Sequence, residues 1–206
     1  MKLIAIEGNI GVGKSTLLNT LGKREDSIVF KQPVHEWNPL LIKFYKNPAK
    51  YSFQLQNLIL GSYQKIQKEI ELKLKNKNKY KYIFIECCGF TSFNVFTKNL
   101  LENSLITQEN YDSIYLEFKV CISHLPDIFV YLDCPSEICL KRINERKRVG
   151  EEDINILLLK QIHERYEDVW KELNQHNTSL KCIKIQSGNS RDQVIRSFYE
   201  SMKIEC

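Results

Sequence analysis

Apolar residues along this chain fall into two alternating kinds of segment. Short apolar runs of strand length occur at 2–7 (KLIAIE), 27–31, 80–85 (YKYIFI), 127–133 (DIFVYLD) and 180–185, and they are rich in β-branched and aromatic residues. The fourth is apolar almost throughout, the composition of a strand covered on both faces. Between these runs the apolar residues recur at spacings of three and four, which is helical periodicity. That periodicity predicts helices at 14–23, 39–45, 51–75, 91–103, 107–124, 136–146, 153–174 and 190–202. The longest, 51–75, carries Leu55, Leu58, Ile59, Tyr63, Ile66, Ile70 and Leu74 at this spacing. Strands alternating with helices predict an α/β fold with a five-stranded parallel sheet flanked by helices, because parallel strands need crossovers and the helices supply them. No repeat, low-complexity tract or Pro/Gly/Ser-rich linker interrupts the pattern, so a single domain over 1–206 is expected.

Composition narrows the class. A hydrophobic content of 43% is enough for one core of ordinary size. The net charge of +5 is modest and compatible with handling small anions. Lys75, Lys77, Lys79 and Lys81 form a basic run, but no aromatic interleaving accompanies it, so a solvated helix end is expected rather than a nucleic-acid surface. The seven cysteines match no zinc spacing and read as reduced, buried thiols of a cytoplasmic protein. The first strand begins at residue 2 with no signal-peptide pattern, and no apolar run approaches membrane-spanning length.

The first strand leads into a chemical motif. Gly8-Asn9-Ile10-Gly11-Val12-Gly13-Lys14-Ser15 fits G-x-x-x-x-G-K-[ST], with a strand before it and a helix, opening at Lys14-Ser15-Thr16, after it. Glycines let backbone N–H groups turn inward around phosphate oxygens, and the helix N-terminus adds its positive dipole end. Lys14 is expected to reach the β- and γ-phosphates, and the Ser15 hydroxyl to ligate Mg²⁺. The motif specifies binding of a nucleoside triphosphate such as ATP. It does not say where the phosphoryl group goes.

A second cationic stretch follows the fourth strand. Arg142 and Arg146 are four residues apart and share one helical face, with Arg148 close behind. A phosphoryl group in transfer spreads its charge over three oxygens, and arginine's planar fork of donors suits it. We therefore expect a mobile arginine-rich lid over about 142–152.

With the phosphate loop and lid placed, the chain resembles the deoxynucleoside kinases, a P-loop kinase family. The resemblance runs from Met1 to about Trp170. It rests on Pro33-Val34 with Trp37, Phe53-Gln54, Glu86 ending the third strand, and Arg142, Arg146, Arg148 and Glu152 in the lid. It implies ATP-dependent phosphorylation of a deoxynucleoside 5′-hydroxyl, with Mg²⁺ and a homodimer packed through long helices. It also implies site roles. Gln54 would bond the base, with Trp37 and Phe96 lining it. Tyr45 and Glu152 would hold the sugar 3′-hydroxyl. Glu86 would join the Mg²⁺ shell, and Arg148 the ATP site. Where relatives carry an arginine and an aspartate over the base, the resemblance aligns Gly61 and Ser92 here, which implies a pyrimidine such as thymidine.

Two positions depart from the family pattern. Gln32 stands where Glu-Pro-Val would supply the general base, and an amide orients a hydroxyl without accepting its proton. Cys87-Cys88 stands where Glu-Arg-Ser would supply an arginine. Three readings follow: another group (Glu36, His35 or Glu86) takes the proton, positioning and electrostatics carry the reaction, or the fold binds nucleotides without turnover. A nucleoside monophosphate kinase is the remaining alternative.

Overall fold

The computed structural model describes residues 1–75, 80–121, 125–175 and 180–204. Lys77, Lys79 and the end of the helix expected at 107–124 lie outside them. Five parallel strands form one sheet: β1 (Lys2–Gly8), β2 (Ser27–Phe30), β3 (Tyr82–Glu86), β4 (Ile128–Asp133) and β5 (Lys181–Gln186), in the order β2-β3-β1-β4-β5. The central strand β1 is entirely buried beyond Lys2, and β4 is buried up to Leu132, as its composition requires. In register, Ile6 lies opposite Glu86 on β3 and Gly8 opposite Leu132 on β4. The chain crosses from one side of β1 to the other between β3 and β4, so a crevice opens above the carboxyl ends at that reversal of strand order.

Helices cover both faces. On one, Leu17, Leu18 and Leu21 of α1 (Lys14–Leu21) and Phe198 of α9 (Arg191–Met202) pack with Ile4, Ile6 and Phe84. On the other, Ile162, Tyr166 and Val169 of α8 (Ile156–Gln175) pack on Phe129 and Tyr131. A further cluster contains no strand residue. Phe44 of α2 (Val34–Lys46), Leu55 and Leu60 of α3 (Pro48–Lys75) and Phe93 form it, with Ile114 of α6 (Gln108–Cys121). It builds the wall that faces the phosphate loop across the crevice.

The structure corrects several element boundaries. The helix expected at 39–45 begins at Val34, with Pro39 inside it. Burial of Trp37 and Phe44 on one face outweighs the lost amide bond, a tertiary override of local propensity. The helix expected at 91–103 is broken into α4 (Gly89–Thr91), a π-helical turn (Ser92–Thr97) and α5 (Lys98–Glu102). Such turns add a residue to the helix and redirect its side chains. α7 (Ser136–Arg146) matches its expected range. No helix of the described residues is long and apolar enough to cross a membrane.

Phe84 is fully buried on β3 and touches both Tyr82 and Phe198. Phe84→Ala is expected to lower unfolding free energy by about 3–5 kcal/mol, read from urea midpoints.

Candidate active site

The phosphate loop connects β1 to α1, with Gly8, Gly11 and Gly13 all at positive φ. Gly13 caps α1 at φ 112, a conformation that costs an L side chain strain whatever space surrounds it. Asn9 braces the loop from within. Its Nδ2 donates to Leu159 O on α8 at 2.7 Å, and its Oδ1 accepts from Ile10 N at 2.8 Å. The Lys14 ammonium folds back to Gly8 O and Asn9 O at 2.8 and 3.0 Å, held within the loop it serves.

Glu86 is the meeting point of three segments. It is buried at the carboxyl end of β3, one strand from the loop. Its Oε1 accepts from Ser15 Oγ at 2.5 Å, and its Oε2 accepts from Gln32 N at 3.3 Å. Gln32 in turn donates from Nε2 to Tyr63 Oη at 2.7 Å. These contacts tie α1, the end of β2 and α3 together beside the phosphate loop. Ser15 and Glu86 offer oxygen ligands side by side, the hard donor set that suits Mg²⁺.

A cleft of about 1020 Å³ runs through this point. It is lined by the phosphate loop, by Trp37, Tyr45, Gln56 and Phe96, and by Gln32, Glu86 and Cys87. Trp37 is pinned by its Nε1 donating to Ser62 Oγ at 2.9 Å. Phe96 reaches the cleft from the π-helical turn and meets Tyr166 edge-on. Arg142, Arg146 and Arg148 line the same cleft.

Two expected residues are displaced in register. Gln54 is exposed and does not line the cleft. Gln56, two positions on, is buried and does, with its Oε1 accepting from Thr97 Oγ1 at 3.0 Å. The helical turn of α3 decides this, since residues two apart point to different faces. Glu152 is likewise exposed and its carboxylate accepts from Gly150 N at 2.7 Å, whereas Glu151 is buried in the cleft. Glu151 accepts from Arg146 Nε and Nη2 at 2.8 and 2.7 Å and from Arg148 Nη1 at 3.2 Å. The Tyr45 hydroxyl is raised above its ordinary pKa by burial first and by the nearby Glu151 charge second. Gly61 does not line the cleft, while Ser92 does.

Arg142 is placed as a clamp. Its guanidinium donates to Val12 O at 3.0 Å, to Ser187 O at 2.9 Å and to Asn189 O at 3.2 Å. It thereby fixes the phosphate loop to the segment between β5 and α9. Ser187, Asn189 and Ser190 of that segment, with Arg191 at the start of α9, extend the cleft, and no motif in the sequence marked them.

Beneath the site lies a carboxylate that sequence reasoning missed. Glu7, the last side chain of β1 before the loop, is fully buried. It accepts from Cys88 N at 2.7 Å, from Thr91 Oγ1 at 2.8 Å and from Tyr166 Oη at 3.3 Å. Its signal in the sequence was a charge inside an otherwise apolar strand. Cys87, just above it, sits at φ 52 with its Sγ 3.9 Å from Tyr166 Oη. Burial pushes the Cys87 thiol well up despite Lys14, so it is neutral at the position where the resembled family carries an arginine. The described cysteines, Cys87, Cys88, Cys134, Cys139 and Cys182, are all free thiols. Away from the cleft, Asp133, His163 and Glu167 bring potential ligand atoms within 4.8 Å of one another. Lys184 already bridges Asp133 and Glu167 at 3.4 and 2.6 Å, so an internal cation satisfies that group.

A model of the deoxynucleoside kinase family matches residues 4–203. A deoxyadenosine kinase of Dictyostelium discoideum is 30% identical over 207 residues, covering 97% of this chain and 80% of its own length. A deoxyadenosine/deoxycytidine kinase of Bacillus subtilis is 31% identical, covering 81% and 75%. A thymidine kinase of Ictalurid herpesvirus 1 is 27% identical, covering 94% and 82%. Among solved structures, a deoxyadenosine kinase from M. mycoides with products dCMP and a flexible dCDP bound superimposes with a TM-score of 0.82 at 24% identity, covering 98% of each chain.

Burial raises the Glu7 carboxyl above the ordinary 4.5, against the lowering effect of its bonds to Thr91 and Cys88 and of Lys14. The folded state therefore favours protonated Glu7. That stabilising contribution is full below the ordinary value and is lost as pH rises through the raised one. Relative to Glu7→Gln, the native chain is expected to lose stability as pH rises above the ordinary carboxyl value, read from urea unfolding at each pH. Parallel profiles for the two proteins would contradict a raised carboxyl.

Proposed function

The chain belongs to the deoxynucleoside kinase family, and on that premise we propose that its cleft transfers the γ-phosphoryl group of ATP to the 5′-hydroxyl of a deoxynucleoside, with a pyrimidine such as thymidine as the preferred acceptor. The observation that carries this reading is the junction at Glu86, which meets Ser15 of the donor loop and Gln32 of the acceptor wall in one cleft. Lys14 and the loop amides bind the donor phosphates, and Arg146 and Arg148 approach them from the lid. Ser15 and Glu86 hold Mg²⁺, which neutralises phosphate charge when bound. Trp37 and Phe96 flank the base, Gln56 bonds its edge, and Tyr45 with Glu151 holds the sugar 3′-hydroxyl. The acceptor end offers neutral amides, Gln56 and Asn99, among apolar walls such as Leu55 and Leu100, which suits a small neutral base.

In the transfer, the bond from the γ-phosphorus to the β,γ-bridging oxygen breaks with ADP as the leaving group, a bond to the 5′-oxygen forms, and the 5′-hydroxyl proton passes to an oxygen of the transferred phosphoryl group. Gln32 is anchored through Nε2 to Tyr63, which leaves Oε1 to accept a hydrogen bond from the 5′-hydroxyl and orient it. Because phosphoryl transfer depends chiefly on positioning and electrostatics, an orienting amide sustains turnover. A carboxylate at this position would add general-base catalysis. Gln32→Glu is therefore expected to raise kcat at neutral pH by about tenfold or more and to introduce an acid limb in the pH profile. An unchanged rate without a new limb would remove position 32 from the 5′-hydroxyl. Lys14→Ala is expected to cut turnover by at least about 10²-fold. A panel of the four deoxynucleosides with ATP and Mg²⁺, read as 5′-monophosphate formed, tests the acceptor. No product from any of them would overturn the reading, and faster product from a purine would overturn the pyrimidine preference.

The same reading includes a homodimer through α3 and α6, in a single-domain cytoplasmic protein. Leu58 of α3 and Leu116 and Val120 of α6 are exposed, the last two at 65% and 84%. These helices pack on one another, and a second copy of the chain would cover their exposed apolar residues. Leu116→Glu is expected to shift sedimentation from dimer to monomer. A monomeric native protein would contradict the dimer.

A further inference from the structure

The segment after α7 places its carboxylates in alternation, one in the cleft and one outside it. Lys147 ends α7 at φ 48 and Gly150 turns at φ 91, so two left-handed residues bracket a tight reversal. At Gly150 the backbone lies against α2 so closely that a Cβ would stand 2.3 Å from Ile42 Cγ1. Its N–H donates at 2.7 Å to the exposed carboxylate of Glu152. Glu151, between them, is only 9% exposed and receives both Arg146 and Arg148. Ile42 and Tyr45 are three residues apart on α2 and share a face, so the docking point and the tyrosine lie side by side. Tyr45 and Glu151 line the same cleft, where burial first and the Glu151 charge second raise the tyrosine hydroxyl.

From this arrangement we infer that Gly150 and Glu152 are positioning residues for the nucleoside: Gly150 docks the lid on Ile42, Glu152 clips that turn, and together they present Glu151 beside Tyr45 to the sugar 3′-hydroxyl. A carboxylate has about four acceptor positions, so Glu151 retains capacity for the hydroxyl while bonded to the arginines. A mobile loop carrying the same glutamate would spend most of its time with the charge in water. Fixing both neighbours removes that freedom before the nucleoside arrives, the gain expected of preorganisation. The inference rests on the reading of Tyr45 and Glu151 as the sugar-binding pair.

The test compares a deoxynucleoside that the protein phosphorylates with its 2′,3′-dideoxy counterpart. The native protein is expected to favour the deoxynucleoside by about tenfold or more in kcat/KM, the size of one hydrogen bond to a charged group. Gly150→Ala, which strains the turn and strikes Ile42, should raise KM for the deoxynucleoside by about tenfold while leaving KM for the dideoxynucleoside nearly unchanged. Ile42→Ala in the Gly150→Ala background should restore part of the discrimination by removing the clash. Glu152→Ala should weaken discrimination in the same sense, and Glu152→Gln should rescue it, because the amide oxygen still accepts from Gly150 N. Thermal unfolding of each variant identifies any that fail to fold, and Glu152→Ala, at an exposed side chain, keeps the test open if Gly150→Ala does. Absence of discrimination in the native protein would overturn the sugar-site reading itself. Native discrimination that survives unchanged in folded Gly150→Ala and Glu152→Ala would overturn this inference and leave that reading standing.

Discussion

The register between β1 and β3 fixes everything that happens above the sheet. Ile6 lies opposite Glu86, so β3 ends level with the start of the phosphate loop, and the first carboxylate beyond the apolar part of β3 arrives beside Ser15. A slip of one residue would turn that side chain to the other face of the sheet. The same carboxylate takes Gln32 N from the end of β2, so one side chain spans two strands and the first helix. The phosphate loop and the Gln32 segment keep a fixed separation because both are bonded to this carboxylate.

Such a junction needs support from below, and Glu7 supplies it at an electrostatic cost. A fully buried carboxylate is unfavourable unless its oxygens are satisfied. Three donors from the turn after β3, the π-helical segment's approach and α8 converge on it. The turn they hold is the one in which Cys87 adopts a left-handed conformation immediately after Glu86. Strain of this kind persists where surrounding contacts over-determine the backbone, and here they aim Glu86 into the cleft. The neutral thiol of Cys87 leaves cationic charge to Lys14 on the loop and to the arginines of the lid. Arg142, bonded to three backbone carbonyls, keeps the loop and the β5–α9 segment in one rigid frame.

Periodicity and turn chemistry made the sheet, most helices, the phosphate loop and Glu86 legible in the sequence. These features depend on local pattern: an apolar run, a glycine motif, a charge at a strand end. What escaped depends on which face a residue takes. On α3, Gln54 and Gln56 are equally polar neighbours of apolar residues, and only the packing of Leu55 and Leu60 turns Gln56 inward. In the lid, Glu151 and Glu152 are adjacent, and the left-handed turn at Gly150 decides which one enters the cleft. The π-helical turn at Ser92–Thr97 has no periodic signature in so short a stretch, yet it carries Phe96 to the acceptor wall. The β5–α9 segment contributes through its backbone placement, which composition does not encode.

Glu86 stands at the centre of the proposed transfer, so its substitution by an isosteric amide is the most direct trial. Phosphoryl transfer from ATP is to be measured for the native chain and Glu86→Gln across a Mg²⁺ titration, with nucleoside binding measured separately without ATP. A fall in kcat of about 10²- to 10³-fold and a higher Mg²⁺ requirement are expected, with nucleoside affinity nearly unchanged. Native turnover by Glu86→Gln at the same Mg²⁺ concentration would contradict it.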